Sequence, residues 1–285
     1  MPAMSAPRPN PPAWDAQTLR NPHAQPDKAR RVAAMFDAIA PTYERVNRLA
    51  TFGRDAAWRR AAVAAAGVRP TDVVLDVCCG TGDMLRAFAA GRPAPARLIG
   101  VDFAAGMLAA GAFATGSVPV QILRADALRL PVADAVVDVV SCAFGVRNFA
   151  DVQAGLNELS RVLRPGGRLV ILEFAQPSSA LLRWAHGLYC ETVLPWLAQV
   201  VSRDRSGAYR YLPRSIRTFE STATMVRRLE QAGLAEVRVR RMNLGGVALY
   251  RAVKPALTGA AERRTSDAAC DAVDRFGRGA RIGRL

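Results

Sequence analysis

Lysine is nearly missing from this chain of 285 residues: only Lys28 and Lys254 occur, so 37 of its 39 basic residues are arginine. Against 24 acidic residues this leaves a formal charge of +15. No run of five like charges exists, which excludes a basic arm of the kind that wraps a duplex. A diffusely basic surface, or attraction to nucleic acid, anionic lipid or an anionic substrate, stays open. Cysteine is sparse and odd in number: Cys78, Cys79, Cys142, Cys190 and Cys270 form no CxxC pair. A zinc ribbon and a disulfide framework are thereby excluded, and free thiols in a reducing compartment are expected. Long apolar runs are lacking too. The N-terminus MPAMSAPRPNPPAW has no apolar core of a secretory signal, and the most apolar stretch, 181–201, is broken by Arg183, His186, Glu191 and Pro195. A cytoplasmic protein is expected.

What is present is a core. With 51% apolar and 7% aromatic residues, collagen-like, coiled-coil and fully disordered chains are ruled out. Residues 1–26 carry Pro2, Pro7, Pro9, Pro11, Pro12, Pro22 and Pro26 and read as a disordered leader, and 255–285 reads as a flexible tail. Between them, three- and four-residue apolar spacing predicts helices at 27–40 and 56–67, the second stopped by Gly67. The pattern then changes to short apolar runs, VVLDVCC (73–79), RLIGVDF (97–103), VQILRAD (120–126), VVDVVSCAF (136–144) and RLVILEFA (168–175). Such near-continuous runs are strands buried on both faces. Helical segments at 83–90, 104–113 and 152–163 separate them, which predicts a parallel sheet. Further helices are expected at 179–201 and 221–233. AEVRVRRMN and GVALYRAVK, joined through Leu244-Gly245, then read as a terminal antiparallel hairpin.

The first strand leads into Asp76-Val-Cys78-Cys-Gly80-Thr81-Gly82-Asp83. Gly80 and Gly82 permit a tight turn and close approach of a ligand, and Asp102, ending the second strand, can accept both hydroxyls of a ribose. A dinucleotide site would carry a third glycine where Leu85 stands, and Asp76 and Asp83 would repel a diphosphate. S-adenosylmethionine bears an ammonium, a sulfonium and no phosphate, so it suits this acidic loop better. Asp126, closing the third strand, can accept from an adenine amino group with the Ala127 amide beside it, or else cap a turn.

Phe52-Gly53 with Trp58, the 76–83 loop, Phe144-Gly-Val-Arg147-Asn148, Arg161-Val-Leu-Arg-Pro-Gly-Gly-Arg-Leu-Val-Ile-Leu-Glu173-Phe174 and Ala208-Tyr-Arg-Tyr-Leu-Pro-Arg-Ser-Ile216 together resemble the menaquinone and ubiquinone biosynthesis C-methyltransferase family. The resemblance spans about 28–254. It implies an α/β, class I S-adenosylmethionine-dependent methyltransferase: a Rossmann-like, mostly parallel seven-stranded sheet with a terminal antiparallel hairpin and helical substrate-side additions. The methyltransferase domain would be 27–254, with a helical cap at 27–67 and an insert at 179–216. Methyl transfer to a ring carbon of a prenylated quinol is implied, demethylmenaquinol first and a benzoquinol of ubiquinone synthesis as the alternative. Thr81, Asp102, Asp126 and Ala127 would contact the cofactor. Tyr43 and Asn47 match the family's Y-D-x-M-N segment, with Glu44 and Val46 as departures, and Asp55 and Ala143 stand where relatives often have His and Ser.

Methylating a quinol carbon needs alignment with the sulfonium and stabilisation of a phenolate, and neither a metal nor a covalent intermediate. Arg147 and Asn148, just beyond the fourth strand, are expected to orient the quinol oxygen or a water that takes its proton, with Tyr43 closing over the ring; a surface salt bridge is the plain alternative for Arg147. The apolar insert could line a groove for the prenyl tail, rest on a membrane or pack on the core. After it, 203–241 hold ten arginines against four acids, a net +6 suited to anionic headgroups. Peripheral membrane contact and a homodimer stay open, and no nucleic-acid partner is expected. Rival readings are a nucleic-acid methyltransferase using Cys142, an NAD-linked oxidoreductase, and an inactive binding protein.

Overall fold

The computed structural model describes residues 14–177, 179–188, 192 and 207–256. In chain order the elements are α1 (Lys28–Ile39), α2 (Tyr43–Ala50), α3 (Arg54–Ala66), β1 (Val73–Val77), α4 (Asp83–Ala89), β2 (Arg97–Asp102), α5 (Ala105–Ala109), β3 (Val120–Arg124) and β4 (Val137–Ala143). There follow α6 (Val152–Val162), β5 (Leu163–Phe174), α7 (Ala180–Leu188), α8 (Ala208–Thr218), α9 (Thr222–Gln231), β6 (Ala235–Met242) and β7 (Val247–Val253). The strands form one sheet in the order β3-β2-β1-β4-β5-β7-β6. The first five are mutually parallel, and β7 runs antiparallel to both β5 and β6. This is the expected α/β sheet with its terminal hairpin.

Adjacent residues on the central strands feed opposite layers. Leu75, Val140 and Ile171 join α6 and α9 residues such as Leu156, Leu159, Met225 and Leu229, while Val74, Val139 and Val170 join Trp58, Ala62, Leu85 and Phe88 of α3 and α4. Both faces are covered, which is why the runs lack polar alternation. Strand order reverses between β1 and β4, so the crevice beyond their carboxyl ends is the ligand position of such sheets.

Two expectations change. The 104–113 helix stops at Ala109, because Phe113 folds back: a Cβ on Gly111 would meet its ring at 2.2 Å, and one on Gly82 at 2.8 Å. The leader, expected to be disordered throughout 1–26, is ordered from Trp14 on. Trp14 is 1% exposed and packs its ring 4.6 Å from that of Tyr211 in α8, and Leu19 joins Val32, Met35 and Ile39 of α1 in the same cluster. Buried Pro22 and the His23 ring, 5.7 Å from that of Phe219, help dock this proline-rich segment. Residues 1–13, the tail from 257 and the insert at 189–191 and 193–206, with Arg203 and Arg205, lie outside the described residues. Of the insert, α7 is seen, with Leu181, Trp184 and Leu188 exposed along one face.

Candidate active site

The 78–82 loop turns through left-handed backbone at Cys78 (φ 59°), Gly80 (φ 55°) and Gly82 (φ 93°). Gly82 needs its freedom doubly, since the Phe113 ring fills the space of a Cβ. The turn brings the Gly80 amide to Asp102, at the end of β2: Gly80 N–H donates to Oδ2 at 2.9 Å and Ala104 N–H to Oδ1 at 2.9 Å. Each carboxylate oxygen keeps a lone pair for a ligand hydroxyl. Burial pushes the Asp102 carboxyl up, and these backbone donors oppose it.

Asp102, Asp126, Ala127, Phe103 and Asn148 line one cavity with Cys78. Asp126 also caps its turn, accepting from Leu128 N–H at 2.9 Å through Oδ1. Asp76, inside the same loop, accepts from Ser141 Oγ at 2.5 Å through Oδ1, while its buried Oδ2 has no partner. Burial raises its carboxyl to about 7. An unpaired buried carboxylate oxygen is costly and calls for a donor or cation. With Asp76, Asp83 and Asp102 around two obligatory glycines, the donor set fits S-adenosylmethionine, and it does not fit a diphosphate. Among the described residues no group of three or more His, Cys, Asp or Glu could hold a metal ion.

Arg147 and Asn148 sit in the 3-10 turn Val146–Asn148 after β4. Arg147 is 5% exposed, which discards the surface salt bridge. Its Nη1 donates to Glu173 Oε1 at 2.7 Å and to the Phe144 carbonyl at 2.6 Å, and its own N–H donates to Glu173 Oε2 at 3.1 Å. The guanidinium lies 5.3 Å from the centroid of the Phe174 ring. Burial lowers its pKa, but the charge and hydrogen bond of Glu173 together with Tyr211 and Tyr43 outweigh that and hold it above the ordinary value, so it is a fixed cation. Asn148 accepts from Tyr211 Oη at 2.9 Å and donates from Nδ2 to Phe144 O at 3.3 Å.

Tyr43 opens α2, its ring edge-on to Phe36 at 6.0 Å. Tyr43, Phe36, Asn47, Arg59, Phe144, Arg147 and Phe174 line a second, mostly apolar pocket that adjoins the first across the Arg147-Asn148 turn. Asp55, at a position where relatives often have His, binds Arg59 and accepts from Thr51 Oγ1 at 3.1 Å.

Sequence reasoning gave no role to Lys28, Phe36, Arg59, Glu173 or Tyr211. Glu173 had a signal, a lone acid closing a continuous apolar strand. Lys28 had another, as one of two lysines in an arginine-rich chain. His23, read as part of a disordered leader, has its Nε2 3.0 Å from the Ser215 carbonyl and so donates from it, and its Nδ1 accepts from Lys28 Nζ at 3.3 Å. The side chain of His186 lies outside the described residues. Cys142 is buried in β4, and the Cys78 and Cys142 sulfurs would each meet a Cβ on Gly145 at 2.8 Å, so Cys142 has the setting of a packed side chain and not of an exposed nucleophile.

Known proteins place this geometry. The profile of the ubiE/COQ5 methyltransferase family matches residues 24–254. The chain is similar to a demethylmenaquinone methyltransferase of Mycolicibacterium gilvum (strain PYR-GCK), 41% identical over 240 residues, covering 84% of this chain and 99% of that one. It is also similar to a demethylmenaquinone methyltransferase of Thermus thermophilus, 42% identical over 224 residues, covering 78% and 100%. Among solved structures, a SAM-dependent methyltransferase of Aquifex aeolicus superposes with a TM-score of 0.51 at 19% identity, covering 74% of this chain and 97% of that one. Phosphoethanolamine N-methyltransferase 2 of Haemonchus contortus in complex with S-adenosyl-L-methionine gives 0.51 at 15% identity, covering 69% and 52%.

Proposed function

Because the chain belongs to the ubiE/COQ5 methyltransferase family, and is thus an S-adenosylmethionine-dependent methyltransferase, we propose that it methylates a ring carbon of demethylmenaquinol. The observation that carries this reading is the adjacency of two unlike cavities, one lined by the carboxylates Asp102 and Asp126, the other aromatic with a buried cation, meeting at Arg147-Asn148. The relatives that bear that activity in their names are covered nearly end to end.

When bound, S-adenosylmethionine would supply a methyl on a sulfonium; transfer breaks one S–C bond and forms one ring C–C bond, and the ring proton lost on rearomatisation restores the hydroxyl, so one proton is released in all. Gly80 and Gly82 would admit the cofactor to the loop, Asp102 would accept hydrogen bonds from its ribose hydroxyls, and Asp126 with Ala127 would hold its adenine; Thr81 lies in the same turn. Asp76, whose buried Oδ2 has no partner, leaves an acceptor beside the loop, while Asp83 is paired with Arg59 and Arg86. On the quinol side, Phe36, Tyr43, Phe144 and Phe174 enclose a flat ring and exclude water. Arg147, kept charged by Glu173, lowers the cost of ionising the hydroxyl beside the accepting carbon and stabilises the phenolate. Asn148 is oriented by Tyr211 toward the same turn, and the phenol proton passes to water, since a fixed guanidinium cannot take it.

A prenyl tail must leave the aromatic pocket. The exposed face of Leu181, Trp184 and Leu188 on α7 supports an insert that meets that tail or a membrane surface. Among the described residues no helix is long and apolar enough to cross a membrane, which leaves peripheral contact as the mode proposed.

The test supplies labelled S-adenosylmethionine with reduced demethylmenaquinol, the demethylated benzoquinol precursor of ubiquinone and tRNA. Label is expected in the naphthoquinol. Label in tRNA alone overturns the reading, and preference for the benzoquinol transfers it to the ubiquinone branch. Full turnover by Arg147→Ala, with unchanged quinol saturation, would remove the role given to Arg147.

A further inference from the structure

Arg147 is not the only buried guanidinium lining the aromatic pocket. Arg59 of α3 is 8% exposed and lines it too. Both are held in the same way, with terminal nitrogens engaged by carboxylates. Arg59 binds Asp55 through Nη1 and Asp83 through Nη2, the latter at 2.9 Å, as Arg147 binds Glu173. In both, the Nε–H is buried with no acceptor. Both charges also reach the Tyr43 hydroxyl: burial pushes its pKa up, and the two guanidiniums oppose that shift.

Buried donors are almost always paired, and each orphan carries a desolvation penalty that a ligand acceptor would remove. One pocket lined by two residues that each carry such a donor, and walled by aromatic rings, is matched by a flat ring carrying two oxygens. Binding through Asp55 and Asp83 leaves Arg59 no freedom to swing away, so the arrangement is preorganised for that ligand. A monohydroxylated ring would satisfy one donor and leave the other stranded, the condition under which polar pockets reject analogues most strongly.

We propose that Arg59 is a second substrate-contacting residue, taking the quinol oxygen para to the one held by Arg147, and that the pair selects 1,4-dihydroxylated rings. This rests on the quinol reading given above. Arg59 also joins the pocket to Asp83 at the start of the cofactor helix, so its substitution can disturb cofactor binding, and the test must separate the two effects.

The separating experiment compares two prenylated substrates in the wild type and in Arg59→Lys and Arg59→Gln: 3-prenyl-1,4-dihydroxynaphthalene, and 3-prenyl-1-naphthol, which keeps the hydroxyl beside the accepting carbon and lacks the para one. Any general damage to fold or cofactor site lowers kcat/KM equally for both and cancels in their ratio. Both variants are expected to lose at least tenfold of the wild-type preference for the dihydroxylated ring, read as the ratio of kcat/KM for the two substrates. An unchanged preference overturns the assignment of Arg59. A wild type inert toward both rings overturns the quinol reading, and this inference with it.

Discussion

Lys28 Nζ donates to the carbonyl oxygen of Arg147 at 2.9 Å, joining the first helix to the turn that carries the candidate catalytic pair across 119 residues of chain. It also donates to the Phe149 carbonyl and reaches His23, so one ammonium holds both ends of that turn. Lys28 is 2% exposed. Burial, with the Arg147 charge, lowers its pKa to about 8. Lys28→Met should leave two carbonyls unpaired and cost about 3 kcal/mol in urea unfolding. Turnover should fall more than cofactor affinity does, because the displaced turn sets Arg147 in the quinol pocket and also borders the cofactor cavity through Asn148. Lys28→Arg should not rescue it, since the guanidinium is too broad for the gap. Equal losses in turnover and cofactor affinity would make Lys28 a purely structural residue.

Tyr211→Phe removes one hydroxyl, the donor to Asn148 Oδ1, and preserves the Trp14 ring contact. Stability should drop by about 1 kcal/mol. If Asn148 needs that orientation, kcat should fall severalfold at constant cofactor Kd; steady-state kinetics at saturating cofactor read this directly.

Asp102→Asn keeps the shape of the side chain but turns one acceptor into a donor facing the Gly80 or Ala104 amide. A lost charged hydrogen bond of roughly 1.5–3 kcal/mol corresponds to a ten- to hundredfold weaker Kd for S-adenosylmethionine. Calorimetric titration should show it with little change in quinol KM.

Asp76 gives a pH signature. Its carboxyl titrates near 7 in the fold against 3.8 when free. Between those values the native chain keeps a proton that the unfolded chain has released, so this group's contribution to stability falls as pH rises, and the loss is complete above about 7. The cofactor-free Asp76→Asn protein should therefore gain in Tm over wild type as pH goes from 4 to 7, with a constant gain beyond. A gain independent of pH would show that Asp76 ionises normally.

Trp14→Ala should cost roughly 3 kcal/mol or more, the range for emptying an aromatic site in a core. Thermal unfolding would show a marginal effect if residues 14–26 were the loose leader that their composition suggests.

The sheet was legible because burial on both faces writes itself as unbroken runs at 73–79, 136–144 and 168–175, and the glycine loop because Gly80 and Gly82 have no substitute at their backbone angles. Arg147 and Asn148 were found from their place after β4 and from family resemblance, yet the burial of Arg147 was not, since nothing local announces that Glu173, on another strand, faces it. Trp14 was lost among prolines. Its partner Tyr211 is nearly two hundred residues away, and such pairings leave no periodicity to read. Arg59 hid for the same reason: its meaning comes from Asp83, a neighbour only in space.

Among the described residues, the order β5-β7-β6 leaves β6 with one open side. That strand carries Arg238, Arg240 and Arg241, is mostly exposed, and slips register between Ala235 and Arg238. An unpaired edge is a template onto which a second sheet can add, and like charges with an irregular start are the usual guard against it. Three of the arginines behind the +15 charge thus stand along that edge, where their like charge opposes pairing of one sheet edge with another.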